Sequence, residues 1–169
     1  MNKMVFIGMM MCSFMVFGQD KETSKSYLLV NEQGKDAFLE EMASFMETNS
    51  ILYLATAETN SPCVRPVRFS CIMDNKLAIV TSFKKEMSKQ MTANSAVELC
   101  TTAADGKVYL RFSGTAAVCK DETVIAKFNE VHPKFKGMFG KDFALYLITP
   151  TKVGLWGGKE KKTKTFKTE

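Results

Sequence analysis

Between residues 51 and 118 the chain is a succession of short apolar runs, 51–57, 63–72, 77–81, 97–102 and 108–118, separated by breaks of only a few residues at 58–62, 73–76 and 103–107 and by one longer stretch at 82–96. Neighbouring parallel strands need a crossover of a dozen or more residues, usually a helix. Breaks this short instead close antiparallel pairs, and Asp74-Asn75-Lys76 reads as a hairpin turn. A doubly wound parallel sheet is therefore disfavoured, and the Gly-rich dinucleotide signature is missing as well.

Helical spacing appears in three places. Residues 34–49 carry Phe38, Leu39, Met42, Phe45 and Met46 on one face, with Glu40, Glu41 and Glu47 on the other. Residues 84–93 are short and basic, with Met87 and Met91 as an apolar stripe beside Lys85 and Lys89. Asp121 reads as the N-cap of a helix through Val131 that buries Val124, Ile125, Phe128 and Val131. Two more strands, 144–148 and 153–156, flank a break at Thr149-Pro150. Pro66 inside the run 63–72 removes a ladder donor and marks that strand as an edge or a bulge, and Gly114 marks a bulge in 108–118. The expected fold is mainly β, of the α+β class: a six-stranded antiparallel barrel with flanking helices.

The amino terminus stands apart. Of twelve methionines, six fall in the first 18 residues, where Lys3 precedes an uncharged apolar stretch that ends at Val16-Phe17-Gly18. A cationic start, an apolar core and a small residue at the end describe a secretory signal, with cleavage expected after Gly18. The stretch is short for a membrane span, so no stable anchor is expected once it is removed. The pattern resembles exported bacterial proteins, and the expected location is the periplasm. The chain divides accordingly into a signal peptide (1–18), a linker (19–33), a folded domain (34–158) and a basic flexible tail (159–169).

Composition narrows the chemistry. The net charge of +5 is mild and gathers in the tail at Lys159, Lys161, Lys162, Lys164 and Lys167, where Phe166 is the one aromatic platform. Nucleic-acid binding is therefore not expected. His132, the sole histidine, precedes Pro133 with no second ligand at metal spacing, which argues against a zinc site and reads as a surface turn. Cys63, Cys71, Cys100 and Cys119 lie in strand-like runs without a CxxC spacing. Buried thiols are the preferred reading, and a disulfide pair is the alternative.

Arginine is scarce: Arg65, Arg68 and Arg111 stand beside twenty lysines. Its planar fork suits phosphate, and two of the three lie in Cys63-Val64-Arg65-Pro66-Val67-Arg68. Side chains alternate along a strand, so one of that pair at most is expected to face a site. A second cluster, Thr81-Ser82-Phe83-Lys84-Lys85-Glu86-Met87-Ser88-Lys89, runs from strand hydroxyls into a basic helix. Amides at a helix start, a hydroxyl and ammonium groups make a phosphate cradle. A capped surface helix with Ser82 as its N-cap is the other reading.

The order of these pieces resembles the pyridoxamine 5'-phosphate oxidase-like family of FMN-binding split barrels. A helix leads to Leu54-Ala55-Thr56-Ala57, then to Arg65-Pro66-Val67, a hairpin, Thr81-Ser82, a Lys-rich helix ending in Ala93-Asn94, and Asp105-Gly106 with Leu110-Arg111-Phe112-Ser113-Gly114. The likeness covers residues 34–158. It implies a split barrel, a homodimer with FMN in the cleft between barrels, and oxidation or reduction of a small-molecule substrate. It further implies phosphate contacts from Arg65, Thr81, Ser82, Lys85 and Lys89, backbone along the flavin at Pro66 and Val67, and an aromatic, Trp156, reaching the cofactor from the partner chain. A barrel-rim role for Trp156 is the alternative. No catalytic acid or base is assigned. Residues 153–169 lack the basic extension of the true oxidases, which argues against pyridoxamine phosphate as substrate. A planar ligand such as haem, with His132 as axial ligand, is the alternative to FMN.

Overall fold

The computed structural model describes residues 28–29, 36–67, 70–158 and 161–167. The expected signal segment 1–18, nearly all of the linker, Arg68 and Lys159 lie outside the described residues.

Three helices and nine strands appear among these residues. Strand β1 (Leu28–Leu29) and helix α1 (Ala37–Thr48) are followed by β2 (Leu52–Glu58), β3 (Ser61–Val67), β4 (Ser70–Met73) and β5 (Lys76–Ser82). Then come α2 (Glu86–Ala93), β6 (Ala96–Thr102), β7 (Val108–Val118), α3 (Glu122–Val131), two short 3-10 turns, β8 (Phe143–Gly157) and β9 (Lys162–Thr165). All strands join one sheet in the order β1-β4-β5-β8-β7-β6-β2-β3, with β9 beside β8. Every pair is antiparallel except β1 with β4.

The expected count of six strands is too low, and each discrepancy has a local cause. The run 63–72 is two strands, because β3 pairs with β2 at one end of the sheet and β4 with β5 near the other. Val67 and Ser70 are three peptide units apart, which span no more than about 11 Å. The two ends of the sheet must therefore approach one another, and this link curls the sheet into a split barrel. Residues 144–148 and 153–156, expected as separate strands, are one 15-residue strand. Pro150 pairs with Gly114, and the register shift there leaves Thr151 as the extra residue, so the bulge expected within 108–118 lies instead in β8, opposite Gly114, and the missing donor falls beside it. The tail is not free: Lys162–Thr165 pairs with β8, and Lys162 Nζ lies 2.7 Å from Glu41 Oε1.

Local chemistry sets the turns and helix starts. Asp74 and Asn75 both hold positive φ, as a two-residue hairpin turn demands. Asp36 and Asp121 cap α1 and α3 through their carboxylates. Burial opposes ionisation of Asp36, but Lys164 and the Phe38 and Leu39 amides prevail and hold its carboxyl below the usual value.

Two apolar clusters share β5, which is buried along nearly its whole length. Inside the barrel, Leu54, Leu77, Ile79, Leu99, Leu110, Phe112 and Ile148 pack with Leu39 and Met42 of α1. On the other side, Met73, Ala78, Val80 and Leu145 meet Phe128 and Phe135. Of the residues expected to bury α3, only Phe128 is fully enclosed, and Val124, Ile125 and Val131 are half-buried. His132 is not a surface residue: it is 2% exposed, beside Phe128 and Phe135. Among the described residues, Cys63, Cys71, Cys100 and Cys119 are unpaired, with Cys71 buried and the others half-buried. Burial pushes the Cys71 thiol up to about 12.

No helix among the described residues is long and apolar enough to cross a membrane.

Candidate functional site

A cleft of about 430 Å³ opens where the end of β5, the start of α2 and β3 converge. Its walls come from Arg65, Pro66 and Val67 on β3, Val80 and Thr81 on β5, and Lys85, Glu86 and Met87 at the head of α2. Each wall is fixed by a different local constraint. Arg65 sits opposite Leu54 in the β2–β3 ladder, so it shares the inward face of that strand. Thr81 lies at the β5 terminus opposite Ala144 of β8. Helix α2 is docked by Tyr146, whose buried hydroxyl is 2.8 Å from Ser88 Oγ and 3.0 Å from Thr92 Oγ1, with Met87 and Met91 buried beneath it.

Two features of the cleft stand out chemically. Thr81 is 1% exposed, and its hydroxyl has no hydrogen-bond partner. Leaving a buried hydroxyl unmatched costs about 1–3 kcal/mol, so such a group in a cleft wall is a donor awaiting an acceptor. Beside it, Lys85 stands as the N-cap of α2 without any side-chain cap hydrogen bond. Lys85, Glu86 and Met87 line the same cleft, so the start of the helix, where backbone amides lack intrahelical partners and the dipole is positive, borders this space.

Arg65 is anchored from behind. One terminal nitrogen donates to Thr56 Oγ1 at 2.9 Å and the other to Gln90 Oε1 at 2.7 Å.

Of the eight residues expected at the cofactor, the structure brings Arg65, Pro66, Val67, Thr81 and Lys85 together and leaves three aside. Ser82 is buried next to Thr81, but its Oγ accepts the Lys84 N–H at 3.2 Å rather than capping α2 or lining the cleft. Lys89 points to an adjacent polar depression shared with Glu58 and Gln90, and pairs with Glu86 at 2.6 Å. That bond and charge raise its pKa. Trp156 lies on the outer face of β8, stacked on Tyr109 with centroids 5.8 Å apart and with the Arg111 guanidinium 5.6 Å away. Sequence reading missed Thr56, Glu86, Met87 and Gln90. A signal existed, since Thr56 continues the inward series Leu52 and Leu54, and Gln90 follows Glu86 by one helical turn. His132 is not in this cleft: desolvation in the second cluster, with Lys134 adding to it, lowers its pKa. No group of metal-ligating side chains occurs among the described residues.

The sequence pattern described as pyridoxamine 5'-phosphate oxidase matches residues 38–157. The chain belongs to this family. The family match takes in every wall of the cleft. A NimC/NimA family protein from Clostridium acetobutylicum is 27% identical, with a TM-score of 0.67 over 75% of this chain and 91% of that one. General Stress Protein 26 from Bacillus anthracis, 16% identical, shares the fold with a TM-score of 0.60 over 76% of this chain and 98% of that one. A heme binding protein from Mycobacterium smegmatis, 15% identical, does so with a TM-score of 0.63 over 78% of this chain and 59% of that one. No curated protein sequence matches the chain.

Proposed function

We propose that this member of the pyridoxamine 5'-phosphate oxidase family binds FMN, its phosphate at the junction of β5 and α2, and uses it to oxidise or reduce a small molecule. The observation that carries this reading is the Thr81 hydroxyl, buried and without a partner in the wall of a cleft that also holds Lys85 and the uncapped start of α2. A phosphate oxygen satisfies that hydroxyl, Lys85 and Arg65 balance the charge, and Pro66 and Val67 in the cleft lining lie along a ring system. When bound, the flavin supplies the hydride or electron chemistry; the chain's residues bind and orient it.

The same reading proposes a homodimer. Tyr53 and Val64 are 50% and 65% exposed on the outer face of β2 and β3, the face that also carries Pro66 and, further across the sheet, Trp156. A second copy laid on this face covers that apolar surface and brings a partner's Trp156 toward the cofactor. Haem is the weaker ligand reading: a heme binding neighbour supports it, but His132, the expected axial ligand, is enclosed by Phe128 and Phe135 away from the cleft. Export rests on residues 1–18 as a signal, and a mature protein beginning at Gln19 is the expected product in native cells.

The test is to incubate purified protein with FMN or with riboflavin, remove free ligand by gel filtration, and record absorbance. Flavin retained from FMN but not from riboflavin is the expected result. Colourless protein in both cases contradicts the reading.

A further inference from the structure

Gln90 is a buried polar side chain that bonds Arg65 without itself lining the cleft, and both polar atoms of its amide are used. Its Oε1 accepts from Thr56 Oγ1 at 2.6 Å and from Arg65 at 2.7 Å. Its Nε2 donates to Glu58 Oε2 at 3.0 Å and lies 3.4 Å from Cys63 Sγ. Thr56 in turn accepts from the other terminal nitrogen of Arg65. Arg65, Thr56 and Gln90 thus close a ring of three hydrogen bonds. The amide has only one workable orientation, because turning it over sets its NH2 against the guanidinium and its oxygen against the Glu58 carboxylate.

We infer that Gln90 is a positioning residue: it locks the guanidinium plane of Arg65 and so presents the remaining N–H groups to the anionic end of the ligand. The inference rests on the FMN reading above. An arginine has five N–H donors, and the ring holds one from each terminal nitrogen, leaving three for a ligand. Without the lock the guanidinium turns about its long flexible stem, and ordering it has to come out of the binding energy. The Glu58 carboxylate on the other side of the amide polarises it and makes Oε1 a stronger acceptor for Arg65. The arrangement also joins α2, which carries Gln90 and follows Lys85, to β2 and β3, so the two cationic walls of the cleft keep a constant separation.

The test uses Gln90→Met, which keeps length and bulk but removes the amide, alone and combined with Arg65→Lys. Gln90→Asn, which keeps an amide but withdraws it by one methylene, serves as the milder second variant. The full chain has only three arginines, so the guanidinium N–H signals are separable by NMR, with Arg65→Lys giving the assignment. Hindered rotation of the Arg65 terminal N–H groups is expected in the wild type and lost in Gln90→Met. FMN titrations are expected to show roughly tenfold weaker binding in Gln90→Met, less loss in Gln90→Asn, and no loss in Gln90→Met beyond that already caused by Arg65→Lys when the two are combined. Unchanged FMN affinity in Gln90→Met, or losses that simply add in the double variant, overturns the inference while leaving the flavin reading intact. Wild-type protein that takes up no FMN while its Arg65 signals remain hindered overturns the flavin reading, and the ligand-presenting role of Gln90 falls with it.

Discussion

Thr81 separates folding from binding at a single atom. Replacing it with valine removes a hydroxyl that has no partner, so the free protein is expected to keep its stability or gain up to about 1 kcal/mol, while FMN affinity falls. Thermal unfolding and FMN titration of Thr81→Val check both halves, and an equal loss in each contradicts the assignment. Lys85→Ala is expected to weaken FMN roughly tenfold or more, the scale of a charge-assisted contact, as read by the same titration. His132 titrates in the opposite corner. Its burial lowers the imidazole pKa, so the unfolded chain takes up that proton first as pH falls. This contribution to stability is complete above about pH 6.5 and declines as pH drops through the lower folded value. His132→Phe is therefore expected to lose less melting temperature than the wild type between about pH 8 and about pH 5; equal losses in melting scans contradict it. Arg65, Thr81 and Lys85, singled out in the sequence because their residue types suit phosphate, do come together in one cleft. Lys89 does not join them, because Lys85 is the extended N-cap of α2 and not a helical residue, so the spacing of four does not set the two lysines on one helical face. Burial of His132 was not legible, since one polar residue before a proline carries no periodicity.

At the scale of elements, the turns and caps were readable and the long strands were not. Asp74-Asn75, the Asp121 cap and the irregularity at Gly114, whose extra residue lies across the ladder in β8, depend on single residues with strong local preferences. The break between β3 and β4, the continuity of β8 and the pairing of β9 depend on partners far along the chain, which local pattern does not reveal. The bulge gives a sharp prediction. A Cβ on Gly114 would stand 2.4 Å from the Thr149 carbonyl oxygen and 2.7 Å from Ile148 Cγ2. Gly114→Ala is thus expected to destabilise the barrel by about 1–3 kcal/mol, measured by denaturant unfolding, and a variant as stable as the wild type contradicts the bulge geometry. By the same reasoning Tyr146→Phe, which strips α2 of its buried anchor to Ser88 and Thr92, is expected to cost about 1 kcal/mol.

In the whole molecule, one short link between β3 and β4 brings the ends of a nine-stranded sheet together, and the cleft lies next to that closure, between β3, β5 and α2. The exposed apolar strip on β2 and β3 is expected to be a dimer face. Val64→Glu should shift sedimentation toward a monomer and weaken FMN together, whereas a monomeric wild type contradicts the dimer. The barrel and its family were legible from the order of elements, but the inward lock formed by Thr56, Gln90 and Arg65 was not, because it joins residues from three elements. The most direct measurement of the central claim is a paired fluorescence titration of FMN and riboflavin with the purified protein. Saturable binding of FMN with at least tenfold weaker binding of riboflavin, a difference of about 1.4 kcal/mol set by the phosphate, is the expected result. Equal response to both flavins, or to neither, contradicts a phosphate site at Thr81, Lys85 and Arg65.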